Sequence, residues 1–179
     1  MSGDSIPIAL PLSRLASDAC EVTDLYRELR KPLLQYLVCL GLSTDEAQDT
    51  VQDAFLSLHR HLASGASQEN IRSWVFRVAH NRARNRQSSY RRRFGEPLDV
   101  EIDMVLDQAT PEQVVLEKEK FRQLGKAIRQ LTESERECLL LRAQGLRYRE
   151  IGNILGISTS TVGETVSRAI KKLAEKCHV

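Results

Sequence analysis

Aromatic residues, glycine and proline are all scarce in this chain. Aromatics make up 5% of its 179 residues, and there are 9 glycines and 5 prolines. Residues of high helix propensity are plentiful instead. A composition poor in turn formers and rich in helix formers favours an all-α fold. The length allows one domain or two small ones.

Residue patterns that mark catalytic or metal sites are missing as well. The four cysteines, at positions 20, 39, 138 and 177, form no CxxC pair and have no histidine at zinc-ligand spacing. No Ser/His/Asp set, phosphate-binding glycine loop or catalytic cysteine signature occurs. Asp49 and Asp53 could share a metal, but carboxylates one helical turn apart usually face solvent. We therefore expect a binding protein that is not an enzyme and has no cofactor or metal. A metal-dependent nucleic-acid enzyme is the weaker alternative.

Long apolar runs are also absent. No segment approaches the roughly 20 apolar residues that cross a membrane. The segment Ile6–Leu12 is short, contains two prolines and lacks a basic leader, so it does not fit a signal peptide. We expect a cytoplasmic protein without membrane insertion.

Helical periodicity organises the first half of the chain. Residues 1–20 show no sustained period and are predicted to be a flexible tail. Apolar residues at helical spacing then predict helices over 24–41, over 43–62 and from 71 to 86 or beyond. The polar segment 63–70 between the last two is predicted to be a loop.

An acidic segment divides the chain into two parts. It carries five acids and no base, namely Glu96, Asp99, Glu101, Asp103 and Asp107. Helical patterns resume after it. We therefore expect two small helical domains, residues 21–94 and 112–179, which an acidic linker at 95–111 joins.

The segment 131–173 has the pattern of a helix-turn-helix set behind a longer helix. Thr132 and Glu135 form a capping box for that longer helix. Gly156 breaks the first short helix, and Ser158 is placed to cap the second. Apolar residues then recur at helical spacing: Val162, Val166, Ala169, Ile170 and Leu173. Because the second helix of such a unit enters the major groove of DNA, this domain is predicted to read duplex DNA.

The outward face of that second helix carries the candidate DNA contacts. They are Ser160, Thr161, Glu164, Ser167, Arg168 and Lys171. Arg168 could pair with guanine, and Glu164 could accept a hydrogen bond from a cytosine amine. Gly163 lies inside the helix, where glycine costs about 1 kcal/mol relative to alanine.

Arginines dominate the end of the third predicted helix. Seven lie at positions 77, 82, 84, 86, 91, 92 and 93, with no acid among them. Charges this dense repel one another unless a polyanion neutralises them, and arginine forms bidentate bonds to phosphate. His80 and Tyr90 could add base stacking. A merely solvated basic face is the alternative, but the DNA-reading motif in the same chain favours nucleic acid.

The outward face of the second predicted helix places carboxylates around one leucine. Its residues are Asp49, Gln52, Asp53 and Leu56. A protein-docking surface would have this composition. A solvated face with a single exposed leucine would have it too, and single exposed leucines are common. Spacing alone favours the solvated face.

Two protein families resemble parts of this sequence. The segment LTESERECLLLRAQGLRYREIGNILGISTSTV resembles both region 4 of sigma-70-type sigma factors and the DNA-binding module of LuxR-type regulators. The segments DLYRELRKPLLQYL, EAQDTVQDAFLSLHRHL and IRSWVFRVAHNRARNRQSSYRRR resemble, in order and spacing, region 2 of the extracytoplasmic-function (ECF) sigma factors. A LuxR-type protein would carry a receiver or ligand-binding domain there. The resemblance favours an ECF sigma factor, with a free-standing LuxR-like helix-turn-helix regulator as the alternative.

This resemblance implies partners and residue roles. The face of Asp49, Gln52, Asp53 and Leu56 matches the family surface that docks on the clamp of the polymerase β′ subunit, which reverses the preference for a solvated face. Asn81, with the loop before it, matches the part that captures a flipped base of the −10 element. The arginines after it, together with Arg77, would hold the melted strand; these are Arg82, Arg84 and Arg86.

The resemblance also covers the second domain. Arg168 matches a family arginine that contacts the −35 element, whereas Gly163, Glu164 and Thr165 depart from the basic or small residues usual there. Region 4 of the family also packs on the flap of the polymerase β subunit, and an anti-sigma protein holds many members inactive. The implied function is promoter recognition with core RNA polymerase, in which −35 DNA is read as duplex and −10 DNA as a melted strand.

Overall fold

The computed structural model describes residues 12–67, 69–94 and 123–177. Three helices form the N-terminal unit: α1 (Leu12–Leu40), α2 (Thr44–Ala63) and α3 (Ile71–Phe94). The C-terminal unit contains a helical segment at residues 123–129, called α4, then α5 (Glu133–Ala143), α6 (Tyr148–Leu155) and α7 (Thr159–Cys177). These ranges contain no strand, so the all-α prediction is confirmed. The predicted linker lies outside the described residues.

The first helix is longer than predicted at its N-terminal end. It begins at Leu12, within the stretch predicted to be a flexible tail, so that prediction is wrong for residues 12–20. No glycine or proline interrupts the chain between Leu12 and Pro32, and the helix also continues through Pro32. Gly41, with a φ of 108°, ends it in a conformation that glycine adopts without strain.

Side-chain caps fix where α2 and α5 begin. Ser43 accepts a hydrogen bond from the backbone amide of Glu46, and the Glu46 carboxylate accepts one from the amide of Ser43 at 3.0 Å. Thr132 and Glu135 form the same reciprocal pair at the start of α5, which confirms the predicted capping box. Each pair satisfies amides that the helix itself leaves without acceptors.

Leucines and aromatic rings form the core of the N-terminal unit. Each fully buried side chain of this size contributes about 1.5–3 kcal/mol relative to exposure. The main contributors are Leu29, Leu33, Tyr36 and Leu37 of α1, Val51, Phe55 and Leu58 of α2, and Val75, Phe76 and Ala79 of α3. The three helices are therefore held in one fixed arrangement, which sets the direction of every polar side chain on α2 and α3.

The helix-turn-helix has the predicted turn. Gly156 takes a left-handed conformation with a φ of 70°, and Ser158 Oγ accepts a hydrogen bond from the amide of Thr161 at 3.1 Å. A β-carbon on Gly152 would lie 2.7 Å from the carbonyl oxygen of Ile157, so the turn packs against α6 too closely for any side chain there. Ile170 was predicted to face the core but is 54% exposed.

The two units contact each other directly. Helix α1 lies against α5, and α3 lies against α6. Their buried residues belong to one continuous hydrophobic cluster, which extends from Leu33 and Phe76 to Cys138 and Leu141. None of the helices in the described ranges is long and apolar enough to cross a membrane.

Candidate nucleic-acid and docking interfaces

The acidic face of α2 points outward. Val51, Ala54 and Phe55 are buried, which turns the opposite side of the helix away from the core. Asp49 and Gln52 are exposed, Asp53 is half-buried, and the Leu56 side chain is 57% exposed. The structure therefore brings the four predicted docking residues together on one surface. An exposed leucine flanked by carboxylates suits a partner with apolar and basic groups.

Arginines of α3 lie against the edge of this acidic face. Arg82 Nη1 is 3.2 Å from Asp53 Oδ2, and Arg82 Nη2 donates to Ser57 Oγ at 3.0 Å. Arg86 lies 3.9 Å from both Asp49 and Asp53. The acidic and basic surfaces are thus continuous. This contact could not be predicted from the sequence, because the register between α2 and α3 depends on their packing.

Helix α3 presents an exposed row of polar and basic side chains. Asn81 and Arg77 are exposed, whereas Arg82, Arg84 and Arg86 are half-buried against neighbouring helices. The last three arginines, at 91–93, and Tyr90 have side chains outside the described part of the structure. Arg77 and Asn81, four positions apart, share one exposed side of α3, whereas Arg82 and Arg86 lie against α2. The exposed side offers hydrogen-bond donors and positive charge, as binding to a nucleic-acid backbone requires.

His80 does not belong to that surface. Its side chain is buried, and Nδ1 lies 2.7 Å from the hydroxyl oxygen of Tyr36 in α1. Burial, and then the charge of Arg84, lower the pKa of His80 to about 4. The prediction that His80 adds base stacking is therefore wrong. The alternation of buried and exposed positions along α3 places this histidine between α1 and α3.

A different aromatic pair lies next to the loop at residues 64–70. The rings of His61 and Trp74 stack with their centroids 4.5 Å apart and an angle of 22° between their planes. Asn70, the last residue of the loop, has a positive φ of 56°, and its carbonyl oxygen accepts a hydrogen bond from the Trp74 amide at 3.0 Å. This pair joins the end of α2 to the first turn of α3, on either side of the loop. Sequence reasoning missed it, because the two rings are far apart in the chain.

Arg84 reaches the C-terminal unit. Its Nη1 donates a hydrogen bond to Glu133 and lies 3.5 Å from Glu137 Oε1. The hydrogen bond with Glu133 is the main reason why the pKa of Arg84 is raised. Burial raises the pKa of Glu137, whose Oε1 is buried and accepts no hydrogen bond. One predicted nucleic-acid contact is therefore occupied by carboxylates of α5.

The outward face of α7 matches the sequence-based prediction. All six candidate contacts are exposed: Ser160, Thr161, Glu164, Ser167, Arg168 and Lys171. Thr165 is buried instead, and it accepts a weak hydrogen bond of 3.4 Å from Arg168 Nη2. The unusual residues at 163–165 therefore place one acid and no base at the exposed surface near the start of the helix.

Gly163 leaves α7 open toward a neighbouring ring. A β-carbon there would lie 3.6 Å from the ring of Tyr148 at the start of α6. Tyr148 is exposed, and the guanidinium carbon of Arg142 lies 5.3 Å from the centre of its ring. These side chains extend the polar and basic surface from α7 onto α6.

The described ranges contain no group of three or more histidine, cysteine or acidic side chains arranged to hold a metal ion. Burial raises the pKa of Cys39, and it raises that of Cys138 to about 11, so both thiols stay protonated and are poor nucleophiles at neutral pH.

Family comparisons agree with this arrangement. Residues 25–93 match the family described as Sigma-70 region 2, and residues 121–173 match Sigma-70, region 4. The first match covers α2, α3 and most of α1. The second covers the helix-turn-helix and the helices before it.

Individual relatives extend over most of the chain. It is 33% identical over 153 residues to the RNA polymerase sigma factor YlaC of Bacillus subtilis, a match that covers 83% of this chain and 87% of the relative. It is 27% identical over 152 residues to the ECF RNA polymerase sigma-E factor of Escherichia coli K12, with 78% of each chain covered. Among solved structures, it is similar to the sigma factor RpoE in complex with the anti-sigma factor NepR from Bartonella quintana. That structure has a TM-score of 0.64 and 25% identity, and the match covers 88% of this chain and 98% of RpoE.

Proposed function

Because the chain belongs to the extracytoplasmic-function group of the sigma-70 family of RNA polymerase sigma factors, which act in promoter recognition and transcription initiation, we propose which of its surfaces perform each step. Sigma factors are initiation factors without enzymatic activity. The observation that carries the proposal is that packed helices expose the acidic face of α2, Arg77 and Asn81 of α3, and the polar face of α7.

The acidic face of α2 docks on the β′ clamp of core RNA polymerase. Leu56 inserts between apolar side chains of the clamp, and Asp49 and Asp53 pair with basic groups around it. Gln52 adds hydrogen bonds that do not depend on charge. The exposed leucine supports this assignment because burial of its exposed surface, which is 57% of the residue, contributes about 1–2 kcal/mol.

The arginine row of α3 binds the melted −10 strand. Asn81 is exposed and can offer both donors and an acceptor to the edge of an unpaired base. Arg77, Arg82, Arg84 and Arg86 pair with the phosphates on either side. Unstacking a base costs a few kcal/mol, so the protein must supply this energy through positioned contacts. The loop at 64–70, which the His61–Trp74 stack flanks, is assigned to the same site.

The outward face of α7 reads the −35 element as duplex. Ser160, Thr161 and Glu164 lie near the helix N-terminus, which approaches base edges in the major groove. Ser167, Arg168 and Lys171 follow, and Arg168 has the geometry to contact guanine or phosphate. In this assignment residues 21–94 act as region 2, residues 112–179 as region 4, and residues 95–111 as the linker.

Two further partners belong to this proposal. Region 4 packs on the flap of the β subunit, for which the exposed Ile170 offers an apolar contact. An anti-sigma protein binds the free sigma factor in the cytoplasm, as the similar RpoE is held in complex with the anti-sigma factor NepR.

A pull-down with core RNA polymerase tests the docking surface. Asp53→Arg should weaken binding at least tenfold, because reversing a charge in a complementary interface costs more than about 1.4 kcal/mol. Glu175→Arg, an exposed change of the same charge near the end of α7, is the matched control and should bind normally. Unchanged binding by Asp53→Arg would contradict the assignment. Specific duplex binding without any polymerase binding would favour the free-standing regulator instead.

A further inference from the structure

The carboxylates of the α2 docking face already have counter-charges inside the protein. Asp49 and Asp53 lie one helical turn apart on α2, where like charges repel each other. On α3, Arg82 and Arg86 are also one turn apart. Arg82 Nη1 is 3.2 Å from Asp53 Oδ2, and Arg86 is 3.9 Å from both acids. Two positive and two negative groups therefore meet at this edge of the face, and their formal charges cancel.

Side-chain contacts fix Arg82 beside Asp53. Its second terminal nitrogen donates to Ser57 Oγ at 3.0 Å, and Ser57 Oγ donates in turn to the backbone carbonyl oxygen of Asp53 at 2.9 Å. The guanidinium thus binds two acceptors one helical turn apart on α2. An arginine held at two points by its planar group keeps its charge next to the carboxylate.

The two acids are therefore not equivalent as docking groups. The Asp49 side chain is 67% exposed, and its 3.9 Å contact with Arg86 is too long for a hydrogen bond. The Asp53 side chain is 42% exposed and is bonded to Arg82. A basic group of a partner can approach Asp49 with little competition. At Asp53 it meets a like charge that already holds one carboxylate oxygen.

Stability of the fold does not account for these ion pairs. The side chains of Arg82 and Arg86 are 40% and 36% exposed, and pairs at such exposure contribute little to stability because water and salt screen them. The core already joins the two helices through buried side chains such as Val51 of α2 and Val75 of α3. The larger effect of the arginines is on what the carboxylates can bind.

We propose that Arg82 and Arg86 are internal counter-ions of the docking face, which lower its affinity for the basic clamp of core polymerase and so set the strength of docking. This inference rests on the proposed docking function of α2. The role applies without DNA and is separate from the phosphate contacts assigned to the same arginines. A basic group that binds Asp53 replaces Arg82 as its counter-ion, so the contact gains only the difference between two ion pairs.

Competition for core RNA polymerase measures this effect. Unlabelled full-length variants displace the fluorescein-labelled parent chain from the core enzyme, and fluorescence anisotropy gives their relative Kd without DNA. Arg82→Gln/Arg86→Gln should bind about tenfold more tightly than the parent, and each single variant about threefold. The Kd of the double variant should also rise more steeply with salt, because its uncompensated carboxylates face the basic partner. Loss of the fold cannot produce such a gain.

Two control variants separate the local charge from other effects. Arg82→Lys/Arg86→Lys keeps both positive charges and should bind within about twofold of the parent. Arg147→Gln/Arg149→Gln removes the same charge from two exposed positions at the start of α6 and should show no gain. A gain in this second control would mean that net charge, and not the position of the arginines, sets the affinity.

Either of two results would overturn the counter-ion role. One is that the glutamine variants, single and double, bind no more tightly than the parent. The other is that the lysine variant shows the same gain as the glutamine variant. Asp53→Arg is measured in the same assay and tests the docking assignment itself. If it binds normally, the docking assignment fails; if it binds weakly while the glutamine variants show no gain, only the counter-ion role fails.

Discussion

The buried pair Tyr36–His80 predicts how this protein responds to acid. His80 lies between α1 and α3, and its Nδ1 is 2.7 Å from the tyrosine hydroxyl oxygen. A neutral imidazole with its proton on Nε2 can accept a hydrogen bond from the hydroxyl at Nδ1, whereas a protonated one cannot. Burial is the largest cause of the lowered pKa, about 4 against 6.5 for a free histidine, and the charge of Arg84 adds to it.

The sign and size of the pH effect on stability follow from the difference between the pKa of His80 in the folded chain and in the unfolded chain. Below pH 6.5 the unfolded chain takes up a proton that the folded chain does not, so stability is fully present above 6.5 and is lost as the pH falls toward 4. The complete loss is about 3 kcal/mol, of which about 2 kcal/mol falls between pH 7 and pH 5. Glu137 acts in the opposite direction, because its raised pKa makes the folded chain take up a proton more readily.

Urea unfolding followed by circular dichroism at pH 7 and pH 5 measures this loss. His80→Gln removes the titrating group and keeps a hydrogen-bond acceptor for Tyr36, so this variant should lose about 2 kcal/mol less on acidification than the parent. Glu137 is present in both proteins, and its contribution therefore cancels in the comparison. His59→Gln makes the same substitution at an exposed histidine and is the matched control. Equal losses in His80→Gln and the parent would refute the reasoning.

Three further predictions concern the C-terminal unit. Gly152→Ala should destabilise it by about 1–3 kcal/mol, because the new β-carbon would lie 2.7 Å from the backbone carbonyl oxygen of Ile157. Gly163→Ala should instead stabilise it by up to about 1 kcal/mol, since the new β-carbon would lie at an ordinary contact distance of 3.6 Å from the Tyr148 ring. Thermal unfolding of the two variants should show opposite shifts in Tm. Shifts of the same sign would contradict this. Glu135→Gln should cost about 1–3 kcal/mol, because the buried carboxylate accepts from Lys172 Nζ at 2.7 and 2.9 Å. That hydrogen bond lowers the pKa of Glu135 in the folded chain. The carboxylate therefore stabilises the fold at pH values above its pKa in the unfolded chain, and this stabilisation is lost as the pH falls through the folded pKa. Glu135→Gln should lack this part of acid unfolding in a urea titration.

Features encoded by neighbouring residues were predicted well from the sequence. The capping box of Thr132 and Glu135 and the left-handed turn at Gly156 both form as expected. The outward face of α7 was also placed correctly, since helical periodicity alone separates Arg168 from the buried Val166. The error at Ile170 has a related origin. This residue lies at the edge of the apolar stripe, and the narrow contact of α7 with its neighbours does not reach it.

Contacts between distant residues could not be predicted in this way. His80 lies 44 positions from Tyr36, and Arg84 lies 49 positions from Glu133. In the sequence both residues belong to one basic, polar segment, which suggested a uniformly exposed nucleic-acid surface. Once α3 packs against α1 and α5, His80 forms a buried hydrogen bond, Arg84 pairs with a carboxylate of the other unit, and the rest of the segment stays exposed.

The sequence by itself determined the helices, their caps, the helix-turn-helix and, through its resemblance, the sigma-factor family. These depend on periodicity, turn chemistry and motifs within short stretches of chain. The tertiary structure alone decided which charges are available. The carboxylates of α2 neutralise Arg82 and Arg86, and those of α5 hold Arg84. Electrostatic interactions depend on distance in space and on burial, and neither quantity is set until the helices pack.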